Sequence, residues 1–465
     1  MQRKLWLALL ASTGPLLAQD AAAVLQAAEK AMGSVKSIRY SGSGINGNFG
    51  QSLLAGKEWP RRELTSYTRT INYELKSSSE ELVFAQPVFG GQRQNAEVHG
   101  DKAWTVGANG PVPQLAASDE RQLQIWLTPH GFLLGAKESG NATLKSGNLV
   151  AFTALGRYKI EGMIDSQNLV ARVETKVDNP LLGDTTLVTR FTDYKDYGGV
   201  KFPGKILQTE GGFPVLDLTV TKVEPNAPAD LPVPSQVLTA TPPKATVSTA
   251  KLADGVWFLT GGSHHSLVVE FKKYIAVVEA PLNEERSLAV LAEAKSLVYK
   301  KPVKYLISTH HHFDHSGGLR TYVAEGAIIV THASNKSYYQ AAFSAPATIA
   351  PDSLAKNSQK ARFVGVKDKY VLSDGTRKIE VYATHGDNHT DELLVAYLPA
   401  SKILVEADSY SPGPPNAPPP STPPPNAVAL YDNIQRLKLD VATIAPIHGR
   451  GAVSMSEFLA FIGKH

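Results

Sequence analysis

Four side chains that bind metal ions well lie close together in the middle of the chain. They are His310, His312, Asp314 and His315. Imidazole and carboxylate groups suit zinc or iron. A polar loop at the end of a strand would not need so many of these groups in so short a run. The sequence therefore predicts a metal site at this position.

Regular elements that can position this cluster are predicted on both sides of it. The apolar run Tyr305–Ile307 after Pro302 indicates a buried strand. Gly317 and Gly318 indicate a turn that opens a helix. Further apolar strands alternate with helices predicted over residues 282–300 and 427–437. Buried sheets with helices outside them predict an αββα sandwich for the C-terminal half, and an α+β fold for the chain.

Four motifs of the C-terminal half, in chain order, resemble those of the metallo-β-lactamase-fold hydrolases. The motifs are His310-x-His312-x-Asp314-His315, Gly386-Asp387-Asn388-His389-Thr390, Leu404-Val405-Glu406-Ala407-Asp408 and Pro446-Ile447-His448-Gly449. The resemblance extends from about residue 252 to the end of the chain. It implies two Zn²⁺ ions. His310, His312 and His389 would hold the first ion. Asp314, His315 and His448 would hold the second, and Asp408 would bridge both.

A pair of metal ions in this fold implies hydrolysis. Two ions about 3.5–4 Å apart can share a hydroxide and clamp the substrate oxygen. Asp314 is the candidate catalytic residue, because it is placed to orient that water or to protonate the leaving group. His385 and Tyr410 are candidate substrate contacts, with a surface role and a packing role as their respective alternatives. Glu279 stands near the position where the family usually has a supporting Asp.

Other residues near these motifs are interpreted as structural. His311 lies between two candidate ligands, and on an extended segment its side chain faces the other way, so packing or support of a ligand is expected. His264 and His265 precede a strand, and substrate contact is not the main expectation for them. Ser411–Asn426 is rich in proline and should be stiff polyproline. It either roofs the cleft or is an exposed decoration.

The sequence does not identify which bond is cut. An ester, a lactone or a thioester of a small molecule is the expected substrate. A mononuclear-iron oxidoreductase resembling persulfide dioxygenases is one alternative, and a non-catalytic periplasmic binding or carrier protein is another. The chain has no cysteine, which excludes thiolate ligands and disulfides. A net charge of +4 without a dense Lys/Arg block gives no reason to infer nucleic-acid binding.

The N-terminal half, residues 20–224, is predicted to be an antiparallel β-rich domain with one or two helices. Helices are expected over residues 20–32 and 118–134, and the strands between and after them alternate apolar and polar residues. The segment from Phe191 to Asn226 resembles the last strands of periplasmic LolA-like lipoprotein-carrier domains, which are half-open β-barrels. That resemblance implies a cleft for a lipid or a peptide. The alternative is a packing or positioning domain.

Two further segments complete the predicted organisation. Residues 1–19 combine basic residues, a short apolar core and small residues, which is typical of a secretory signal peptide. The protein is therefore expected in the periplasm or secreted, and no later stretch reaches the length of a membrane span. Prolines crowd residues 225–247, which predicts an extended linker between the N-terminal domain and a domain at residues 248–465.

Overall fold

The computed structural model describes residues 20–88 and 91–464. The signal peptide predicted for residues 1–19 lies outside them. Sheets dominate the described chain, which is a mixed α/β structure with a large β-rich N-terminal half. No helix in the described ranges has the length and apolar character to cross a membrane.

One antiparallel sheet of 13 strands makes up most of the N-terminal half. Its strands are β1 Ser37–Gly47, β2 Arg61–Asn72, β3 Ser77–Phe84, β4 Arg93–His99, β5 Lys102–Gly107, β6 Gly110–Pro113, β7 Thr143–Leu144, β8 Leu149–Ala154, β9 Tyr158–Ile164, β10 Val170–Asn179, β11 Gly183–Asp196, β12 Lys201–Glu210 and β13 Phe213–Pro225. The first and last long strands, β1 and β13, pair at its centre, so the order is β6-β5-β4-β3-β2-β1-β13-β12-β11-β10-β9-β8-β7.

Three helices pack their apolar sides against this sheet: α1 Ala21–Met32, α2 Ser118–Trp126 and α3 Pro129–Glu138. Asp20 caps the first helix, because its side chain accepts a hydrogen bond from Ala23 N at 2.7 Å. The single helix predicted over residues 118–134 was wrong. The chain turns at Thr128, whose extended backbone and side chain cap α3, and Pro129 starts that helix.

A short helix interrupts the proline-rich segment between the halves. The segment was expected to be extended, but α4 Ser235–Leu238 forms one turn there. Two further sheets follow in the C-terminal half. The seven-stranded sheet contains β14 Ser248–Ala253, β15 Val256–Thr260, β16 Ser266–Glu270, β17 Ile275–Val278, β18 Val303–Ile307, β19 Ile328–His332 and β20 Arg362–Val366. The six-stranded sheet contains β21 Lys369–Ser373, β22 Lys378–Ala383, β23 Leu394–Leu398, β24 Ile403–Glu406, β25 Thr443–Pro446 and β26 Val453–Ser454.

Three apolar clusters hold the C-terminal half together. One contains side chains from both sheets, among them Val269, Val278, Val381 and Ala396. Two others join one sheet each to helices. These helices are α5 Glu284–Leu297, α6 Phe313–Ser316, α7 Leu319–Ala324, α8 Lys336–Ser344, α9 Ser353–Asn357, α10 Pro425–Arg436 and α11 Met455–Phe461. The last of them was not anticipated from the sequence.

Parallel pairing brings the candidate ligand segments to one edge of the two sheets. In the first sheet β17 and β18 run parallel, with Val278 beside Ile307 at their ends. In the second sheet β24 and β25 run parallel, with Glu406 beside Pro446 at their ends. The metal-site motifs follow directly after these strand ends. The strands therefore deliver residues far apart in sequence to the same place.

Candidate metal centre

The structure brings all seven predicted ligands together in three overlapping groups. Within each group, nitrogen and carboxylate oxygen atoms lie within 4.8 Å of one another. The groups are His310/His312/His389, His310/His315/Asp408 and His264/Asp314/His315/His448. Five of the seven candidates lie in loops that follow strands, and Asp314 and His315 lie in α6. His264 joins them from the hairpin between β15 and β16.

Four buried polar atoms at the centre have no hydrogen-bond partner among the described residues. They are His310 Nε2, His312 Nδ1, His389 Nε2 and Asp408 Oδ2. A buried polar group without a partner costs free energy, so such atoms are rare in folded proteins. A cation bound by three imidazole nitrogens and a carboxylate oxygen would satisfy all four. The donor set therefore fits a metal ion of the zinc or iron type.

Asp408 is the residue that the other candidates surround. Its Oδ2 lies 2.8 Å from His315 Nε2, 3.2 Å from His310 Nε2 and 3.3 Å from His389 Nε2. Its Oδ1 lies 3.0 Å from His448 Nε2. Burial alone would raise the pKa of this carboxyl, but the imidazoles around it hold that pKa well below its usual range. An ionised carboxylate at this position can serve both metal groups.

Glu279 supports His315 through a hydrogen bond, as its position in the sequence suggested. Its carboxylate accepts a hydrogen bond from His315 Nδ1 at 2.8 Å and one from Thr309 N at 2.7 Å. Glu279 and His315 are both fully buried. Because Nδ1 donates to the carboxylate, Nε2 is left to face the centre with its lone pair.

Asp314 is held by two side chains that the sequence had not singled out as functional. Gln51 Nε2 donates a hydrogen bond to its Oδ1 at 2.7 Å, and His264 Nε2 lies 3.2 Å from its Oδ2. Burial would raise the pKa of this carboxyl, but the hydrogen bond from His264 and the charge of His315 lower it. His264 could have been suspected from its place in a hairpin loop next to a strand end. Nothing in the sequence pointed to Gln51.

His311 lies outside the three groups, in agreement with the side-chain direction expected for it. Its Nδ1 is 2.5 Å from the Glu392 carboxylate, and its Nε2 is 3.0 Å from Ser52 Oγ. With Nδ1 facing a carboxylate, Nε2 accepts from the hydroxyl. His311 therefore ties the motif to two other parts of the chain.

The two candidate substrate contacts do not belong to the groups either. His385 has an exposed side chain, and its backbone N donates to Asn433 Oδ1 at 3.0 Å. Tyr410 is buried, with its ring 5.0 Å from that of Phe458 and 4.9 Å from that of Phe461. Its environment is that of a packing residue.

In this mixed α/β structure, histidine and aspartate side chains gather near strand ends of two sheets, in groups that could hold a metal ion. The family model described as the metallo-beta-lactamase superfamily matches residues 259–448. The match includes all seven candidate ligands and supports the resemblance seen in the four motifs of the C-terminal half.

Several solved structures resemble the same half. A metallo-beta-lactamase from Pontibacter korlensis is 22% identical, with 47% of this chain and 98% of that chain covered and a TM-score of 0.35. The metallo-beta-lactamase FIM-1 from Pseudomonas aeruginosa, in a mono-zinc form, is 19% identical, with 48% and 96% covered and a TM-score of 0.35. One from Hirschia baltica is 18% identical, with 47% and 96% covered and a TM-score of 0.34. No curated protein matches the chain.

Proposed function

We propose that this protein is an exported hydrolase with two Zn²⁺ ions, acting on an ester, lactone or thioester of a small molecule. The observation that carries this proposal is the set of four partnerless buried atoms, from His310, His312, His389 and Asp408, which belong to two metal groups that share His310. The match of residues 259–448 to the superfamily model supports hydrolysis as the reaction class. The clusters of helices against each sheet support the αββα order of layers.

The ligands are assigned to two ions. His310, His312 and His389 would hold the first through Nε2, Nδ1 and Nε2, since these nitrogens have no other partner in the described chain. Asp314, His315 and His448 would hold the second, and Asp408 would contact both. When bound, such a pair lowers the pKa of a water molecule and polarises the oxygen of the scissile group.

The residues of the chain contribute orientation and proton transfer. Glu279 keeps the His315 ring in place, and Asp387 holds the backbone of His389 by accepting from its N at 2.7 Å. Asp314 carries a carboxylate with a lowered pKa, oriented by Gln51 and His264. In this position the carboxylate would orient the attacking water and hold its proton.

Metal analysis and a substrate panel test the proposal together. The full chain, loaded with zinc, would be assayed on chromogenic esters, lactones, thioesters, phosphodiesters and a cephalosporin. We expect about two zinc ions per chain and turnover of a carboxylic ester, lactone or thioester. About one iron per chain with oxygen consumption would support the persulfide dioxygenase-like alternative. A chain that binds no metal and turns over nothing would support the carrier alternative.

Replacement of Asp314 tests the catalytic assignment within this proposal. Asp314→Asn keeps an oxygen ligand but removes the charge that holds a proton. We expect turnover to fall at least 100-fold, in line with the loss of a general base, while much of the zinc remains bound. Full activity in this variant, with normal zinc content, would contradict the role. Exposed Asp193→Asn in the N-terminal sheet is the control.

For the N-terminal domain, the proposed ligand is a peptide rather than a lipid. A cavity of about 370 Å³ is lined by both polar and apolar side chains, with Arg69, Glu80, Gln124 and Gln208 among the polar ones. These four polar side chains suit the amide groups of a peptide better than an acyl chain. Mass spectrometry of the purified protein under native conditions, with short peptides or fatty acid added, would distinguish the two ligands.

A further inference from the structure

The loop between β1 and β2, residues 48–60, leaves the N-terminal sheet and contacts the metal-site motif of the C-terminal half. We propose that this β1–β2 loop is a positioning element of the metal centre, which fixes the ring of His312 and the carboxylate of Asp314. The inference rests on the metal-dependent function proposed above. It extends that function by giving the N-terminal half a share in the site.

The first contact fixes a tautomer. His312 Nε2 donates a hydrogen bond to the backbone carbonyl of Ser52 at 3.0 Å. Because this nitrogen carries the proton, Nδ1 must carry the lone pair, and Nδ1 is the buried atom that lacks a partner among the described residues. The loop thus selects the form of His312 that can bind a metal ion. Hydrogen bonds of this kind to ligand histidines strongly affect metal affinity.

The second contact orients a carboxylate. Gln51 Nε2 donates to Asp314 Oδ1 at 2.7 Å, which leaves Oδ2 toward His264 and His315. An amide can donate here without adding charge to the centre. Removal of this donor would free the carboxylate to rotate away from the second metal group.

Further contacts make the position of the loop well determined. Gly50 O accepts from Phe313 N at 3.2 Å, and Leu53 O accepts from Thr390 Oγ1 at 3.1 Å. The ring of Phe313 also packs against those of Phe49 and Trp59, at 5.1 and 5.7 Å. The loop therefore contacts both the first metal motif and the segment just after His389.

Gly50 shows how closely the loop approaches this motif. Its φ is +80°, and a Cβ built on it would lie 2.6 Å from Phe313 Cδ2. A side chain at this position would push the loop away from Phe313. It would thereby displace Gln51 and Ser52, which follow Gly50 in the chain. Gly212, in the turn between β12 and β13, is a matched position, with φ +92° and no heavy atom within 4 Å of such a Cβ.

The experiment measures stepwise metal binding by the full chain. Metal-free protein would be titrated with Zn²⁺ in competition with a chromophoric chelator, and with Co²⁺ while its absorption spectrum is followed. Gln51→Ala should weaken the second equivalent about 10–100-fold and leave the first unchanged. Gly50→Val should weaken both equivalents and change the cobalt spectrum. Gly212→Val and exposed Gln236→Ala should bind both ions as the parent chain does.

The outcomes separate the inference from the proposed function. If Gln51→Ala and Gly50→Val, folded by circular dichroism, bind two ions with the parent affinities, the positioning role is wrong and the metal-dependent function stands. If the parent chain itself binds no metal ion, both are wrong. A uniform loss of both equivalents in Gln51→Ala would also overturn the inference, because a merely structural role predicts it. If Gly50→Val does not fold, Gln51→Ala alone decides.

Discussion

At the scale of single residues, three of the candidate ligands are held by groups that do not themselves face the centre. His315 is held by Glu279, the backbone of His389 by Asp387, and His312 by the Ser52 carbonyl. Such supports fix the ring or loop before a metal ion arrives, so less ordering remains to be done on binding. The geometry of the centre is therefore as much a property of these supports as of the ligands.

Replacement of Glu279 should weaken the second metal ion. In Glu279→Gln the acceptor for His315 Nδ1 becomes neutral, and the new amide must face either Thr309 N–H or the imidazole N–H. We expect about 10–100-fold lower affinity for the second zinc, measured by the same competitive titration. Glu270→Gln, at the other end of β16 from the site, breaks an ion pair with Lys301 and is the control. Unchanged affinity in Glu279→Gln would contradict the supporting role.

A carboxyl of the N-terminal half should make stability depend on pH. Burial, with a contribution from the nearby Glu120 carboxylate, raises the pKa of Glu210 to about 8. The folded chain therefore holds this proton more tightly than the unfolded chain, whose Glu has a pKa of about 4.3. Stability from this group is fully present below pH 4.3 and is lost as the pH rises toward 8.

Glu210→Gln removes this dependence, because the amide cannot ionise. The variant should match the parent in thermal unfolding at pH 4 and exceed its Tm by about 2 °C or more at pH 9. The exposed Glu63→Gln in β2 is the control and should show no such difference. A parent-to-variant difference in Tm that is the same at both pH values would contradict the raised pKa.

At the scale of elements, a close backbone contact joins the proline-rich segment to the loop that carries His448. Gly449, next to His448, has φ +90°, and a Cβ there would lie 2.7 Å from the Pro412 ring. The proline-rich segment thus begins in contact with the last ligand loop, although most of its residues are exposed. Whether the remainder roofs the cleft stays a prediction.

Gly449→Ala should displace the His448 loop. Both the positive φ and the contact with Pro412 oppose the new methyl group, at a cost of about 1–3 kcal/mol. We expect a lower Tm and weaker binding of the second zinc. Gly451→Ala is the matched control, because its φ is +130° but no heavy atom lies within 4 Å of the added Cβ. Equal effects of the two substitutions would mean that only backbone strain matters.

The sequence could predict those elements and ligands whose positions are indicated by residues near them in the chain. Asp20 and Gly33 bracket α1, and Tyr305–Ile307 form the core of β18. The turn at Thr128 was missed because Pro129 both ends one helix and begins another. The role of the β1–β2 loop could not be predicted, since Gln51 and Ser52 act on residues more than 250 positions away. Such a pairing depends on tertiary packing and leaves no periodic pattern.

At the scale of the whole molecule, metal binding and folding of the C-terminal half should be coupled. The candidate ligands come from four separate loops of that half, so ions that bind only the folded state stabilise it. At a free zinc concentration 100 times the dissociation constant, this stabilisation is about 2.7 kcal/mol.

Removal of metal with a chelator should therefore lower the Tm. We expect a decrease of about 5–10 °C by calorimetry, and recovery when zinc is added back. Magnesium at the same concentration is the control, because it prefers oxygen ligands and binds weakly to a site rich in imidazole. A Tm that does not respond to zinc would contradict the metal assignment.

The hydrogen bond between Gln51 and Asp314 has a consequence for biosynthesis. It joins residues separated by 263 positions, and His448 follows Asp314 further along the chain. A ribosome must therefore translate both halves before the centre can be assembled. Contacts of such long range form late in folding. Fragments made by premature termination or by proteolysis between the halves would lack part of the centre, so metal binding would need a chain that contains both halves.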